Sequence, residues 1–456
     1  AYLSKLPHES LNVKGRLYGN LNYLSFRNLT LGYPSAFTIN GNGYAANLTN
    51  TDKLKASARL SLTTRNMAFV KKFMPASSRK TINIPSGLNV KGFFKIDKKL
   101  VETDFAANYS GGSLKAKGFF NGADNRYNVT ANARNFKIGD IVRGVKLGPL
   151  SGFISARGKG TDFPSAATSL ALNTRIDKFR FGKYTLDGIK GNVRMSGGRI
   201  DARVNSHNPM AGGNIHVNGR LAKNSLDVHL SGNVSRANLL ALGVMDKPWM
   251  VSARPNLRIK SNLDNYYYAR GTVDNLYVGE RGRRGMTKLV SGNHLFVDGS
   301  MRGNAIEATV NGDIDDANLR GLGVIDKNYF VSTNAKANIK GNIKKPYLIN
   351  LTADANTFDL VERRDTATIP LVSGNFLAHV NMKGNNVNGS FDGLISEADL
   401  YQLGVVDEPF KTMGSATLAF SSDMKEKYYV DGHIDDMAII DKSGNYTTSN
   451  LGINIL

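Results

Sequence analysis

Apolar and polar residues alternate with a period of two along most of this chain. Leu54, Ala56, Ala58, Leu60 and Leu62 are apolar, and Lys53, Lys55, Ser57, Arg59 and Ser61 between them are polar. Leu88, Val90, Phe94 and Ile96 stand against Asn89, Lys91 and Lys95. Ile215 and Val217 oppose Asn214, His216 and Asn218, and Leu226, Val228 and Leu230 oppose Asp227 and His229. Leu257, Ile259 and Leu263 oppose Arg258, Lys260 and Asn262; Ala335, Ala337, Ile339 and Ile343 oppose Lys336, Asn338, Lys340 and Asn342. Phe376, Ala378, Val380 and Met382 oppose His379, Asn381 and Lys383. Successive side chains of a strand point to opposite faces, so each segment predicts a strand with one greasy side and one wet side. Such strands belong in antiparallel sheets, because buried parallel strands read as continuous apolar runs. Glycine–polar turns such as Ser110-Gly111-Gly112 and Lys383-Gly384-Asn385-Asn386 punctuate the pattern about every dozen residues, as in a meander.

A second periodicity overlies the first. Gly-Asn-Val-Ser-Arg-Ala-Asn-Leu-Leu-Ala-Leu-Gly-Val from Gly232 returns from Gly312 and again from Gly393, at steps of 80 and 81 residues. Tyr267, Tyr347 and Tyr428 keep that step, as do Asp274, Asp354 and Asp435. A fixed step means one structural unit stacked repeatedly. We expect diverged units over 1–231, repeats over 232–311 and 312–392, and a partial repeat over 393–456. Within the recurring line, Leu239 and Leu242 are three apart and Gly243 is able to stop a short helical turn in a left-handed conformation. Met67 to Met74 before Pro75, and Phe136 to Val145, predict similar short helices. The aspartates at unit spacing are expected to satisfy turn or strand-end amides.

Composition narrows the class. Cysteine is absent, which excludes disulfides and thiolate metal sites. The 59 basic and 37 acidic residues leave a net charge of +22. That charge predicts attraction to anionic surfaces, and a well-solvated outer face accounts for it equally well. No segment has the roughly 20 apolar residues of a spanning helix. The sequence begins with Ala1 and stops within a strand-like stretch, so we expect an internal piece of a longer protein.

Candidate chemistry is sparse. The histidines at 8, 207, 216, 229, 294, 379 and 433 form no ligand pair of metal-site spacing, and several fall on the wet side of strands. No nucleophile elbow, phosphate loop or dinucleotide fingerprint is present. Ser77-Ser78-Arg79-Lys80 fits a Ser-x-x-Lys pattern without partner motifs. Arg281-Gly282-Arg283-Arg284-Gly285 predicts a basic hairpin loop. Aromatics are not interleaved in sequence with Lys and Arg, which argues against a nucleic-acid stacking platform. We therefore expect no catalytic residues, no metal, no cofactor and no nucleic-acid partner.

A long one-sided sheet must hide its apolar face. It does so as a sandwich, as a closed and filled solenoid, or as a trough whose apolar lining is a binding surface. The expected fold is all-β: an elongated repeating antiparallel β-groove with short helical or loop crossings. Some 35 strands at ~4.8 Å spacing would extend on the order of 150 Å. The expected lining is Leu54, Ala56, Leu60, Leu62, Leu88, Val90, Phe94, Ile96, Leu114 and Phe120, then Ile215, Val217, Leu226, Val228, Leu230, Leu257, Ile259 and Leu263, then Ile339, Ile343, Phe376, Val380, Met382, Leu418 and Phe420. Ala at 56, 58, 335, 337 and 378 is small for an interlocked solid core, which favours a lumen over a filled solenoid.

Leu147-Gly148-Pro149-Leu150-Ser151-Gly152, Ser155-Ala156-Arg157-Gly158-Lys159-Gly160-Thr161-Asp162-Phe163-Pro164 and Phe179-Arg180-Phe181-Gly182-Lys183-Tyr184-Thr185-Leu186-Asp187-Gly188 resemble the TamB/AsmA-like envelope proteins of Gram-negative bacteria. The Ala-Asn-Leu-x-x-Leu-Gly-Val lines are similar to the repeat starts of that group. The likeness is one of cadence and covers most of the chain. It implies a taco-shaped β-groove in the periplasm, an inner-membrane anchor outside this piece, and a TamA-like outer-membrane barrel as partner. It also implies non-enzymatic movement of phospholipid between the two membranes, with acyl chains as ligand. A structural β-solenoid scaffold or outer-membrane protein assembly factor is the alternative.

Overall fold

A computed structural model describes residues 7–74, 76–144, 146–283, 285–342, 344–345, 348–423, 427–444 and 446–455. Ile343, Tyr347, Pro75, Val145 and Arg284 lie outside the described residues. The chain divides into two compact units, 1–208 with 221–223, and 209–220 with 224–456.

The first unit carries β1 (Asn12–Asn20), β2 (Tyr23–Tyr33), β3 (Phe37–Ala46), β4 (Lys55–Thr64), β5 (Asn89–Asp97), β6 (Leu100–Tyr109), β7 (Gly112–Asn121), β8 (Arg126–Phe136), β9 (Leu147–Lys159), β10 (Ser169–Phe181), β11 (Tyr184–Ser196) and β12 (Arg199–His207). Each pairs antiparallel with the next. The second unit carries most of β13 (Ala211–Ala222), then β14 (Ser225–Asn238), β15 (Trp249–Ser261), β16 (Tyr266–Gly282), β17 (Gly285–Arg302), β18 (Ala305–Asn318), β19 (Tyr329–Asn342), β20 (Leu348–Arg364), β21 (Ala367–Lys383), β22 (Asn386–Asp399), β23 (Lys411–Ser422), β24 (Tyr428–Ile440) and β25 (Tyr446–Ile455). From β14 onward these too pair antiparallel in sequence order. The fold is thus the expected all-β antiparallel meander with short helical crossings.

The strand count departs from expectation. Twenty-five strands are described, not some 35, because the second unit's strands run to 18 residues. Ser291-Gly292-Asn293 has turn composition yet sits inside β17. There it pairs with β18 beside an irregularity in register. Such irregularities occur on each ladder from β14–β15 to β24–β25. The one after the first strand of each repeat recurs between Val234 and Ala237, Ile314 and Ala317, and Ile395 and Ala398. A bulge bends the strand and raises its twist without ending it.

Short helices occupy the predicted places. Ala68–Phe73 and Ile138–Asp140 are 3-10 turns; α1, Ala76–Thr81, is not among them, since the sequence reads as a loop after Pro75. The three repeat lines form α2 (Leu239–Leu242), α3 (Leu319–Leu322) and α4 (Leu400–Leu403). One repeat is therefore four strands with one helical turn after the first. Each turn is capped at both ends. The Asn238, Asn318 and Asp399 side chains accept from the N–H three residues on, at 3.0, 2.8 and 2.9 Å. Gly243, Gly323 and Gly404 take φ of 74°, 79° and 77°, and the next valine N–H donates to the first helical carbonyl at 2.9 Å. This is a Schellman closure, and an L-residue is strained there. Asn318→Ala is expected to destabilise the second unit by about 1 kcal/mol, and Gly323→Val by at least as much, in urea unfolding. An unchanged midpoint for both would mean that the turns carry no stability.

Little of the protein is filled core. Its surface is 27791 Å2, against about 17,000 Å2 for a compact monomer of this mass. The largest fully buried apolar side chains among the described residues, Leu289 and Leu371, lie in β17 and β21. There α3 packs on β17 and α4 on β21.

Candidate functional site

Cross-strand register decides whether alternation within single strands adds up to a surface. In the first unit it does. Ala56 pairs with Ile96, Ile96 with Val101, Val101 with Phe120, and Phe120 with Tyr127. One step along, Ala58, Phe94, Thr103, Gly118 and Val129 form a parallel row. Then come Leu60, Gly92, Phe105, Ala116, Ala131 and Ile154, and last Leu62, Val90, Ala107, Leu114, Ala133 and Gly152. The rows continue through Leu170, Leu172 and Ile176 of β10 to Ile200, Ala202 and Val204 of β12. From β3 to β12 they contain no charged residue.

The second unit repeats the arrangement. One row runs Val228, Ile259, Ala269, Gly299, Ala308, Ile339, Leu351, Val380, Gly389, Phe420, Val430. Its neighbour runs Leu230, Leu257, Gly271, Val297, Val310, Ala337, Ala353, Ala378, Phe391, Leu418. Leu226 and Met382 fall in a third row, and Phe376 in a fourth between Ala355 and Gly393. A Cβ on Gly219 would meet the Cα and Cγ1 of Val228, so Ile215 and Val217, of the same parity, share this face.

Two expected lining residues sit elsewhere, and three more are packed under cover. Leu54 precedes β4 and its carbonyl accepts from Lys98 N at 2.8 Å, closing a turn. Leu263 lies in the turn after β15 with φ of 59°. Leu88, Val90 and Leu114 pack against a small core of Ala107, Ala133 and Phe136, together with Ile138 and Ile141. The chain leaving β8 folds back over that end of the rows, and Tyr109 Oη anchors it by donating to Asp140 at 2.9 Å. That hydrogen bond, ahead of burial, raises the Tyr109 pKa. Beyond this cover the rows are open: Phe120, Ile154, Val101 and Val129 are 45%, 42%, 43% and 38% exposed. Large apolar side chains turned to water on one face mark a surface made to be covered.

The opposite face carries the charge. In the second unit several of its charges are paired: Arg258 with Asp227 at 2.7 Å, Lys340 with Glu307 at 2.8 Å and Arg270 with Asp298 at 3.6 Å. The Arg258 hydrogen bond holds the Asp227 carboxyl below the usual carboxylate range. Asp274 and Asp435, expected to cap amides, instead face His294 at 3.2 Å and His433 at 3.3 Å. The one deeply buried carboxylate among these pairs, Asp316, is held by Lys288 and Arg363, each at 2.9 Å, with Arg363 stacked on Phe330. It ties β17, β18 and β20 together. Among the described residues no three His, Asp or Glu side chains gather as a metal site, and no helix is long and apolar enough to cross a membrane.

Comparison with protein-family models, with characterised proteins and with solved structures found no match.

Proposed function

We propose that the apolar rows hold the acyl chains of phospholipid, and that the protein conducts lipid along them without covalent chemistry. The observation that carries this is the succession of apolar and small side chains across neighbouring strands within each unit, with no charge in the rows. Each buried methylene is worth ~0.8 kcal/mol to a bound chain. Neighbouring rungs offer nearly the same contacts, so a chain moves from one to the next over low barriers. Nothing in such contact needs a directional polar group. The resemblance to TamB/AsmA-like proteins extends the proposal to the periplasm of Gram-negative bacteria, with a TamA-like barrel as outer-membrane partner. Benzophenone photo-crosslinkers at Leu60, Ile259 and Ile339 are expected to capture phospholipid in cells, whereas those at Lys260 and Lys340 are not. Equal capture on both faces would reject the reading.

A further inference from the structure

The charged face of the first unit is not uniformly a solvated back. Two adjoining recesses of about 710 and 600 Å3 lie on it, sharing Phe93 and Asp104. Both are of ligand size. Phe93 on β5 and Phe119 on β7 are rings that line the recesses, placed there by the doublets Phe93-Phe94 and Phe119-Phe120. Each doublet gives one ring to the apolar rows and one to this side. Directly across from Phe93 stand Arg59 and Asp104. Lys91 is diagonal to Arg59, within reach of a common group. Neither Arg59 nor Lys91 has an ion-pair partner among the described residues, unlike neighbouring Lys95 and Lys117, which pair with Glu102 at 2.6 Å and Asp104 at 3.8 Å. At the far rim the Asn42 side-chain oxygen is used by Asn28 N at 2.7 Å and that of Asn40 by Thr30 Oγ1 at 2.8 Å. Their amide NH2 groups are left to donate outward.

We propose that these joined recesses bind a saccharide chain, with uronate or other anionic units engaging Arg59 and Lys91. Flat rings take the apolar face of a pyranose, while a carboxylate, amides and a guanidinium around them both accept from and donate to hydroxyls. A nucleic acid is the poorer fit. Its backbone offers only acceptors, so Asp104, 3.8 Å from Lys117, and Glu102 in the same lining would find no hydroxyl to accept from. Register creates here the aromatic–cation interleaving that the linear sequence lacks.

The test is calorimetric titration of the purified protein with chitotetraose, hyaluronan tetrasaccharide and dT12. Saturable binding of at least one saccharide is expected, weakened about tenfold or more by Phe93→Leu with Phe119→Leu. Those substitutions keep volume and remove the flat ring. Arg59→Gln is expected to weaken hyaluronan tetrasaccharide more than chitotetraose, and Lys340→Gln in the second unit to change neither. The proposal is overturned if neither saccharide saturates, if dT12 binds more tightly than both, or if the double Leu variant binds like the parent while its circular dichroism is unchanged. Lipid capture at Ile259 and Ile339 reports separately on the apolar rows, so either reading is able to fail alone.

Discussion

An aspartate at Val129 or Ile154 is expected to strip bound phospholipid from the protein while leaving its fold intact. Both positions lie in the apolar rows of the first unit, and both side chains are already more than a third exposed. In the free protein the new carboxylate therefore stays hydrated and costs the fold little. With an acyl chain laid over it, the same carboxylate must lose water with no counter-charge in the row. An unpaired ionised group facing hydrocarbon is penalised by several kcal/mol, and every 1.4 kcal/mol is a factor of ten in occupancy. Val129→Asp should thus reduce co-purifying phospholipid, read by mass spectrometry, by at least about a hundredfold near that rung. The double variant with Ile154→Asp should block passage altogether. Asn128→Asp, one residue away on the opposite face, changes charge equally and should change lipid little. Parent-like lipid in Val129→Asp, with an unaltered melting curve, would remove the basis of the conduit.

Much of this was legible in the sequence because sheet patterning is local. Alternation at 54–62 and 88–96 placed β4 and β5 and told which of their side chains share a face. The 80-residue step located α2, α3 and α4, and Gly243 announced its left-handed stop. The helix caps Asn238, Asn318 and Asp399 sat unremarked in the same line, although Asn or Asp directly before Leu is the cap signal. What escaped depends on partners distant in the chain. Leu88, Val90 and Leu114 alternate as well as any lining residue, yet Phe136, Ile138 and Ile141 cover them. That cover follows from the bulge near Asn135, whose φ is 49° and whose N–H is taken by Ser151 Oγ at 2.8 Å. Strand ends escaped for a related reason. A Ser-Gly-Asn triplet reads as a turn, and only its partner strand reveals an irregular ladder running through it. The wet-face rings were visible as Phe-Phe doublets, but their neighbours Arg59 and Asp104 come from other strands.

The largest loss of stability is expected on truncating the leucines beneath the repeat turns. Leu289 is 0% exposed and Leu371 1%. Gly321 of α3 lies so close above Leu289 that a Cβ there would come within 2.7 Å of its Cδ2. The turn is thus held at contact distance and its caps fix its position, so it has little freedom to collapse into a void. Under those conditions Leu→Ala loses both the transfer term and an unrelaxed cavity, about 2–5 kcal/mol. Stability in a repeat array is a sum over units and their nearest neighbours. Leu289→Ala should therefore loosen β17 to β19 first, while β23 and β24 keep their amide protection. Leu371→Ala should do the converse around α4. The two sites are four strands apart, roughly 19 Å at sheet spacing, so their costs should add within about 0.5 kcal/mol. Hydrogen exchange followed by mass spectrometry resolves the two regions. Uniform loss of protection across the whole second unit in either variant would show that it unfolds as one cooperative body. The 80-residue period would then describe its sequence and geometry but not its energetics.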